Sequence, residues 1–199
     1  DKYAYMTYDL KQVHRYDTYL NSFNKSVRFK LKKNDDVVKS KPNKVIWFVS
    51  HCSTPSRREH IVHELRKYID VDIYGRCGFI GSKTDPCRQS SDPARCLVDL
   101  FNSYKFYLSF ENSNCDSYIT EKYFQFYETS LIFDVDIVPI VRGAKWSQYL
   151  ELAPDNHSFI FADSFESPKS LAEYLLYLDS NQTAYDEYFK WKRDLKTKM

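Results

Sequence analysis

Glycine is scarce in this sequence, with four residues among 199. That scarcity excludes collagen-like and glycine-rich flexible chains. Neither G-x-G-x-x-G nor G-x-x-x-x-G-K-[ST] occurs, so the usual glycine fingerprints of phosphate binding are missing. Net charge is also slight, at +2, and the lysines are scattered, which argues against a general nucleic-acid binder.

A long uninterrupted apolar run is missing as well. The longest candidate, 130–141, is broken by Asp134, Asp136 and Pro139 and is too polar to span a bilayer. No signal peptide is visible and the sequence starts at Asp1, so we expect a trimmed domain. The sequence is instead rich in aromatic residues, with 17 tyrosines and 14 phenylalanines, and is long enough to bury a sizeable core.

The five cysteines form no C-x-x-C pair, which argues against zinc and thioredoxin-type sites. Cysteines and N-x-[ST] sequons together favour an oxidising secretory lumen, where Cys77, Cys87 and Cys96 could form disulfides within one loop. The alternative of five reduced, mostly buried cysteines stays open on composition alone. The candidate glycosylation sites are Asn24, Asn156 and Asn181.

Apolar segments of strand length and helix length alternate along the chain. The predicted strands are 45–50, 71–74, 105–110, 137–141 and 158–161. The predicted helices are 57–68, 167–178 and 184–195, with a further one starting near 118. This alternation predicts an α/β fold, a parallel sheet with helices on both faces. The charge-rich residues 1–44 are expected to be a solvated approach segment and linker.

The stretch 105–122 predicts a strand, a polar loop and the start of a helix. Asp116 or Ser117 is the expected N-cap, because apolar residues recur at helical spacing from Tyr118 onward. In an open α/β sheet, ligands bind beyond the carboxyl ends of the strands and face the positive end of a helix. This stretch is therefore the leading candidate for a ligand site.

Three polar side chains in that stretch suit a sugar–phosphate ligand: Asn112, Glu121 and Lys122. A lysine is mildly unfavourable near a helix N-terminus, and a residue placed against its local preference points to function. The alternative is an ordinary first helical turn, in which Glu121 simply complements the helix dipole.

Arginines open the first predicted helix directly after a strand. Arg58, with the helix N-terminus, could hold a phosphate through bidentate contacts. The alternative is a solvated arginine at a helix start. No metal site is expected, since the Asp-x-Asp patterns at 70–72 and 134–136 precede strands, and His60 and His63 lack further ligands at matching spacing.

The segment Phe106-Tyr-Leu-Ser-Phe-Glu-Asn-Ser, followed by Tyr118-Ile-Thr-Glu-Lys122, resembles the signature of the α-1,3-fucosyltransferases, glycosyltransferase family 10. Segments 71–78, 138–143 and 165–175 agree with the same family. The resemblance extends in order over about residues 45–195. Its cysteine-bearing segments are more similar to invertebrate members, including core-type enzymes, than to vertebrate Lewis-type ones.

The resemblance implies a Rossmann-like fold, the C-terminal half of a two-domain GT-B glycosyltransferase. Residues 1–44 would be an inter-domain segment or remnant of the acceptor domain, and residues 45–199 the GDP-fucose-binding domain. Arg58 and Lys122 would bind the diphosphate, and Glu121 would contact the ribose or fucose. The nucleotide pocket would be lined by Tyr107, Asn112 and Tyr118.

The implied reaction is an inverting transfer of L-fucose from GDP-fucose, in α-1,3 linkage, to N-acetylglucosamine of glycoprotein glycans. The general base would lie upstream, so no catalytic residue is expected in this chain; residues 1–44 contain no glutamate. The alternative is a non-catalytic GDP-sugar-binding fragment or a degenerate paralogue. The acceptor, core chitobiose or a terminal Lewis-type antenna, stays open.

The family also implies a setting. The parent would be a type II single-pass membrane protein of the Golgi lumen, with its membrane anchor absent from this sequence. No metal cofactor would be essential, because protein cations neutralise the departing diphosphate, and Mn²⁺ is a candidate stimulator only. The expected partners are GDP-fucose and a glycoprotein N-glycan, with no nucleic acid.

Overall fold

The computed structural model describes residues 41–77 and 83–197. Most of the predicted approach segment, including the Asn24 sequon, lies outside the described residues. The division predicted between residues 44 and 45 stays a prediction.

A parallel sheet forms the centre of the described chain, as predicted. Its five strands in the described residues lie in the order β2-β1-β3-β4-β5, and each neighbouring pair is parallel. The strands are β1 (Asn43–Val49), β2 (Val71–Gly75), β3 (Tyr104–Phe110), β4 (Val138–Arg142) and β5 (Ile160–Phe161). Because all run in one direction, their carboxyl ends share one edge of the sheet.

Helices cover both faces of the sheet, which confirms the predicted α/β class. The helices are α1 (Arg58–Leu65), α2 (Pro93–Asn102), α3 (Glu121–Phe133), α4 (Trp146–Leu152), α5 (Pro168–Ser180), α6 (Gln182–Glu187) and α7 (Lys190–Thr197). One core cluster joins α1, α5 and α6 to the sheet, and the other joins α2, α3, α4 and α7 to it. Every residue of β3 is buried.

The first and the last of the predicted helices differ from the structure at their ends. The first ends at Leu65, because the backbone N–H groups of Lys67 and Tyr68 bond three residues back, and the Tyr68 side chain is 44% exposed. The last is two helices, separated at Tyr188 and Phe189, whose N–H groups also bond three residues back. This turn buries both aromatic rings.

Two disulfides cross-link the described residues. Cys87 bonds Cys96, while Cys77 bonds Cys52 rather than a cysteine of its own loop. The remaining thiol, Cys115, is exposed. The expectation of pairing within one loop therefore holds for one bridge and is wrong for Cys77, because β1 and β2 are adjacent and bring the segments after them together.

The lysines around the start of β1 are not simply solvated, contrary to expectation. Lys41 donates from Nζ to the carbonyl oxygens of Tyr104, at 2.9 Å, and of Asp136. Lys44 pairs with Asp179 at the same edge. These contacts tie the segment leading into β1 to the amino-terminal edge of the sheet. Within the described part of the chain, no helix is long and apolar enough to cross a bilayer.

Candidate functional site

Segments that follow β1, β3 and β4 meet at the carboxyl edge of the sheet. Ser56, just before α1, donates from its backbone N–H to Asn112 O at 3.0 Å and from Oγ to Glu111 O at 2.8 Å. The N–H of Glu111 in turn donates to Arg142 O at 2.9 Å. The start of α1 and the end of β4 are thus both fixed to the segment after β3.

Glu111 is the centre of this edge. Its side chain is 0% exposed, yet its carboxylate is well supplied with donors. Oε1 accepts from the backbone N–H and the hydroxyl of Thr120, at 2.8 and 2.9 Å. Oε2 accepts from Lys122 Nζ at 3.0 Å. A buried carboxylate is tolerated only when it is paired and hydrogen-bonded, and Glu111 is both.

The contacts of Thr120 set where α3 begins. Thr120 is the N-cap residue, but its hydroxyl contacts Glu111 and makes no capping hydrogen bond. The expected caps are engaged elsewhere: Asp116 pairs with Lys145, and the Ser117 N–H donates to Gln148. The prediction that the helix starts near Tyr118 is therefore wrong by three residues, and α3 begins at Glu121.

Lys122 is surrounded by oxygen atoms. Its Nζ lies 3.0 Å from Glu111 Oε2, 2.7 Å from Thr120 Oγ1 and 3.1 Å from Glu121 Oε1. The Lys122 side chain is 19% exposed and that of Glu121 is 66% exposed. Burial raises the pKa of Glu121, but the charge of Lys122 and its hydrogen bond outweigh this and leave that pKa below its usual value.

Arg58 lies beneath this site and not on its surface. It is 2% exposed, and its guanidinium donates to Phe110 O at 2.5 Å and to His51 O at 3.3 Å. Its Nε is buried and, among the described residues, has no hydrogen-bond partner. Burial lowers the pKa of this arginine, although Glu111 and Glu59 act in the opposite direction. Direct contact with a diphosphate stays a prediction for Arg58.

The predicted pocket residues lie at different depths. Tyr107 is 8% exposed, with its ring 5.6 Å from that of Phe101, so it packs in the core beneath the site and does not line an open surface. Tyr118 and Asn112 are half-buried. Asn112 Oδ1 is buried without a hydrogen-bond partner in the part of the chain that the structure describes. We call Lys122 and its three partners, Glu111, Thr120 and Glu121, the Lys122 cluster. Asn112 follows Glu111 in the chain, and Lys122 acts on the Tyr118 hydroxyl, so these two half-buried residues lie closer to the cluster than Tyr107 does.

Arg142 is a cation of this edge that the sequence analysis missed. It ends β4 beside Phe110, and its guanidinium donates to Asp163 at 2.7 Å, Ser56 O at 2.9 Å and Asn114 Oδ1 at 3.1 Å. A shallow cavity of about 290 Å³ adjoins it, between the loop after β3 and the ends of β4 and β5. Alignment of the carboxyl ends of β3 and β4, which places Arg142 beside Phe110, could have identified it.

Gly143 allows this close packing. It has φ +142°, and a Cβ built there would lie 2.5 Å from Glu111 Cβ. A side chain at this position would have to displace Glu111 or the backbone. The glycine therefore lets β4 end directly against the buried carboxylate.

The carboxylates considered as metal ligands have other partners. Asp72 accepts from Tyr104 and pairs with Lys83, while Asp134 and Asp136 pair with Lys192. Asp134 and Asp136 are thus ion-pair partners of one lysine. Among the described residues, no group of three or more His, Cys, Asp or Glu side chains could hold a metal ion.

Two candidate glycosylation sites lie in described segments. Asn156 is exposed in the turn before β5. Asn181 is the N-cap of α6, where Oδ1 accepts from the Ala184 N–H and Nδ2 donates to the Tyr177 hydroxyl, both at 3.1 Å. The side-chain nitrogen of Asn181 is therefore engaged, and modification of either residue stays a prediction.

Fold and site together define a class: a doubly wound α/β domain whose carboxyl edge carries a lysine at a helix N-terminus, an arrangement that suits an anionic ligand. The family model described as glycosyltransferase family 10 (fucosyltransferase), C-terminal, matches residues 38–199. This chain belongs to glycosyltransferase family 10.

Curated relatives agree with the family. The chain is 46% identical over 153 residues to glycoprotein 3-alpha-L-fucosyltransferase A of Drosophila melanogaster, covering 77% of this chain and 28% of that protein. It is 40% identical to alpha-(1,3)-fucosyltransferase fut-1 of Caenorhabditis elegans, covering 81% and 34%. It is 36% identical to human GDP-fucose protein O-fucosyltransferase 3, covering 74% and 29%. The chain thus spans about a third of the length of these relatives.

A solved structure supports the fold. The chain matches a crystal structure of an alpha1,3-fucosyltransferase with a TM-score of 0.55 and 21% identity, over 78% of this chain and 39% of that one. This agrees with the predicted fold class, a Rossmann-like α/β domain of the GT-B type.

Proposed function

We propose that this chain is the GDP-fucose-binding part of an enzyme that transfers L-fucose, in α-1,3 linkage, to N-acetylglucosamine of glycoprotein glycans. The observation that carries the proposal is the Lys122 cluster at the N-terminus of α3, in a chain that belongs to family 10. Relatives at 46% and 40% identity are named for 3-alpha or alpha-(1,3) fucose transfer.

The proposed chemistry requires stabilisation of a diphosphate leaving group. The acceptor hydroxyl attacks C1 of fucose, the bond from C1 to the phosphate oxygen breaks with inversion, and the hydroxyl proton passes to a general base outside this chain. Lys122 would neutralise charge on the departing GDP, with Arg58 adding positive charge from beneath. In this scheme no metal ion is essential, and Mn²⁺ acts at most as a stimulator.

The residues proposed to contact the donor range from exposed side chains at the edge of the sheet to a buried one beneath them. Lys122 and the N–H groups that open α3 would meet the diphosphate, and Glu121 would accept hydroxyl groups of ribose or fucose. Asn112 and Tyr118 would border the nucleotide. Tyr107 would support them from the core.

We further propose the Golgi lumen as the setting, and N-glycosylation at Asn156 and Asn181. Two disulfides in the described residues support an oxidising compartment. The expected partners are GDP-fucose and a glycoprotein N-glycan.

A second acceptor class has support from relatives named for protein O-fucosylation. Human GDP-fucose protein O-fucosyltransferase 3 is 36% identical to this chain, so the acceptor hydroxyl could belong to a protein side chain. The two alternatives share the donor site and differ in what approaches it. A third outcome is a GDP-sugar binder without transfer.

Calorimetry and a transfer assay would separate these alternatives. GDP should bind this chain more tightly than ADP or UDP, and Lys122→Ala should weaken GDP by about 1.5–3 kcal/mol, as expected for a charge-assisted contact. Labelled GDP-fucose is then supplied to the parent enzyme with an N-glycopeptide or an unglycosylated peptide. Label on the glycan supports the proposal, label on the peptide supports O-fucosylation, and binding without transfer supports the binder.

A further inference from the structure

The Lys122 ammonium has three hydrogen atoms to donate, and three side-chain oxygens lie within 3.1 Å of it. The ammonium is therefore saturated by protein groups in this conformation. An anionic ligand can contact Lys122 only if one of these oxygens moves away.

The three acceptors are not equally movable. The Glu111 side chain is 0% exposed and also holds the N–H and hydroxyl of Thr120. Thr120 is in turn fixed by those contacts, and its backbone lies at the start of α3. Glu121 is 66% exposed, and its carboxylate is hydrogen-bonded to Lys122 Nζ at 3.1 Å, to the Thr120 hydroxyl and to its own backbone N–H. Water can replace such contacts at an exposed carboxylate, whereas the buried Glu111 has no such replacement. Glu121 is the acceptor that can leave at least cost.

Glu121 also lies where an anion would be favoured. It is the first residue of α3, a helix of 13 residues whose N-cap side chain makes no capping hydrogen bond. Burial raises the pKa of Glu121, but Lys122, the backbone N–H of Glu121 at this helix end and the Thr120 hydroxyl together hold that pKa below its usual value. The positive end of a helix favours an anion at the same position.

We propose that the Glu121 carboxylate occupies the position of a donor phosphate and is exchanged for it when the nucleotide sugar binds. In the absence of ligand, the positive charge of Lys122 is thus neutralised by the carboxylates of Glu111 and Glu121. Only the Glu121 carboxylate can give way to a phosphate. Once displaced, the carboxylate is free to accept hydroxyl groups of the sugar. This inference rests on the proposed function, because it takes the diphosphate to be the ligand of Lys122.

The test compares pyrophosphate with GDP, because pyrophosphate has no sugar hydroxyls for Glu121 to contact. Calorimetry measures Kd for both ligands on the wild-type chain, on Glu121→Gln and on Glu173→Gln. Glu173 is a matched control: it is 63% exposed and pairs with Lys169 on α5. Both substitutions remove one negative charge from an exposed glutamate next to a lysine.

Pyrophosphate should bind Glu121→Gln about two- to fivefold more tightly than wild type, the range that the loss of one exposed ion pair provides. The Glu173→Gln chain should bind it as wild type does. Unchanged or weaker pyrophosphate binding by Glu121→Gln, with GDP still bound by wild type, overturns the exchange and leaves the proposed function standing. Tighter pyrophosphate binding without GDP binding supports the exchange and refutes the donor. If neither ligand binds any of the three chains, both proposals fail.

Discussion

Lys122 Nζ lies 3.0 Å from Oε2 of Glu111, whose side chain is entirely buried. The lysine that the family resemblance assigns to the diphosphate is therefore also the counter-ion of a buried carboxylate. Replacing Lys122 is therefore expected to change both the free energy of unfolding and the affinity for GDP, and the two effects require separate measurements.

Replacing Lys122 with methionine should destabilise the chain as well as weaken GDP binding. The change leaves the Glu111 carboxylate buried without its cation, at a cost of about 3–5 kcal/mol in free energy of unfolding. Urea denaturation measures the loss. The double variant Lys122→Met, Glu111→Gln should recover part of it, because no uncompensated buried charge remains. A double variant no more stable than the single lysine variant would contradict the ion pair.

Adding a methyl group at position 143 should disturb the same carboxylate. Gly143→Ala places a Cβ at 2.5 Å from Glu111 Cβ on a backbone with φ +142°. We expect a loss of about 2 kcal/mol or more in unfolding free energy, and weaker GDP binding through displaced Lys122. Thermal unfolding and calorimetry measure the two effects. Ser147→Ala on the exposed side of α4 is the control and should change neither.

The disulfide Cys52–Cys77 should stabilise the chain more than Cys87–Cys96. The first closes a sequence separation of 25 residues and the second of 9, and longer closed loops restrict the unfolded chain more. Replacing both cysteines of the first bridge with serine should cost about 3 kcal/mol, and those of the second somewhat less. Urea denaturation of the two double variants ranks them. The reverse order would show that strain or local unfolding, and not loop length, decides the contribution.

The free thiol offers a direct check on this pairing. Without reductant, iodoacetamide should alkylate one cysteine of the folded chain, Cys115, because it is exposed and the other four are bonded. Peptide mass spectrometry identifies the modified residue. Alkylation of Cys52 or Cys77 under these conditions would contradict the bridge between them.

Lys41 should make stability rise with pH in the alkaline range. Burial lowers the pKa of Lys41 from 10.5 to about 8, helped by Lys192 and Lys105 and opposed by Asp136. The folded chain therefore binds this proton less tightly than the unfolded chain, and stability rises as pH increases from about 8 to about 10.5. Below pH 8 both states hold the proton, so this dependence vanishes.

The measurement is the difference in unfolding free energy between wild type and Lys41→Met, at pH 7 and at pH 9.5, in a Cys115→Ser background that prevents thiol exchange. Other titrating groups cancel in this difference. The unfolding free energy of wild type should increase relative to that of the variant as the pH rises. A constant difference would mean that the contacts of Lys41 with backbone carbonyls hold its pKa near the usual value, and a shrinking difference would mean that they raise it.

The strands and the fold class could be predicted because their signal is local. Apolar runs such as 105–110 and 137–141 are long enough to be buried on both faces, and every residue of β3 is buried as that pattern requires. Helix α5 was predictable from Ser167, whose hydroxyl accepts from the Ser170 N–H, and from Pro168 in the first turn.

The site was predictable only in part, because its key contacts join distant segments. Glu111 is bonded to both Thr120 and Lys122, which lie 9 and 11 positions later in the chain. A single acidic residue after a strand gives no local sign of its burial or of these partners. Arg142 needed the register of β3 with β4, and Lys41 needed contacts with residues 60 or more positions away. The start of α3 was misplaced because it depends on the hydrogen bonds between the Thr120 hydroxyl and Glu111. The helical spacing of apolar residues carries no information about such a contact.

The bond between Cys52 and Cys77 encloses α1, β2 and the whole connection between them. A protease that cuts the backbone once inside this ring leaves two pieces that remain covalently joined. On a gel without reductant the nicked domain would run as an intact chain, and only a reducing agent would separate the piece carrying β1 from the piece carrying β3 and Lys122. A nick between these two cysteines is thus not equivalent to the loss of a strand.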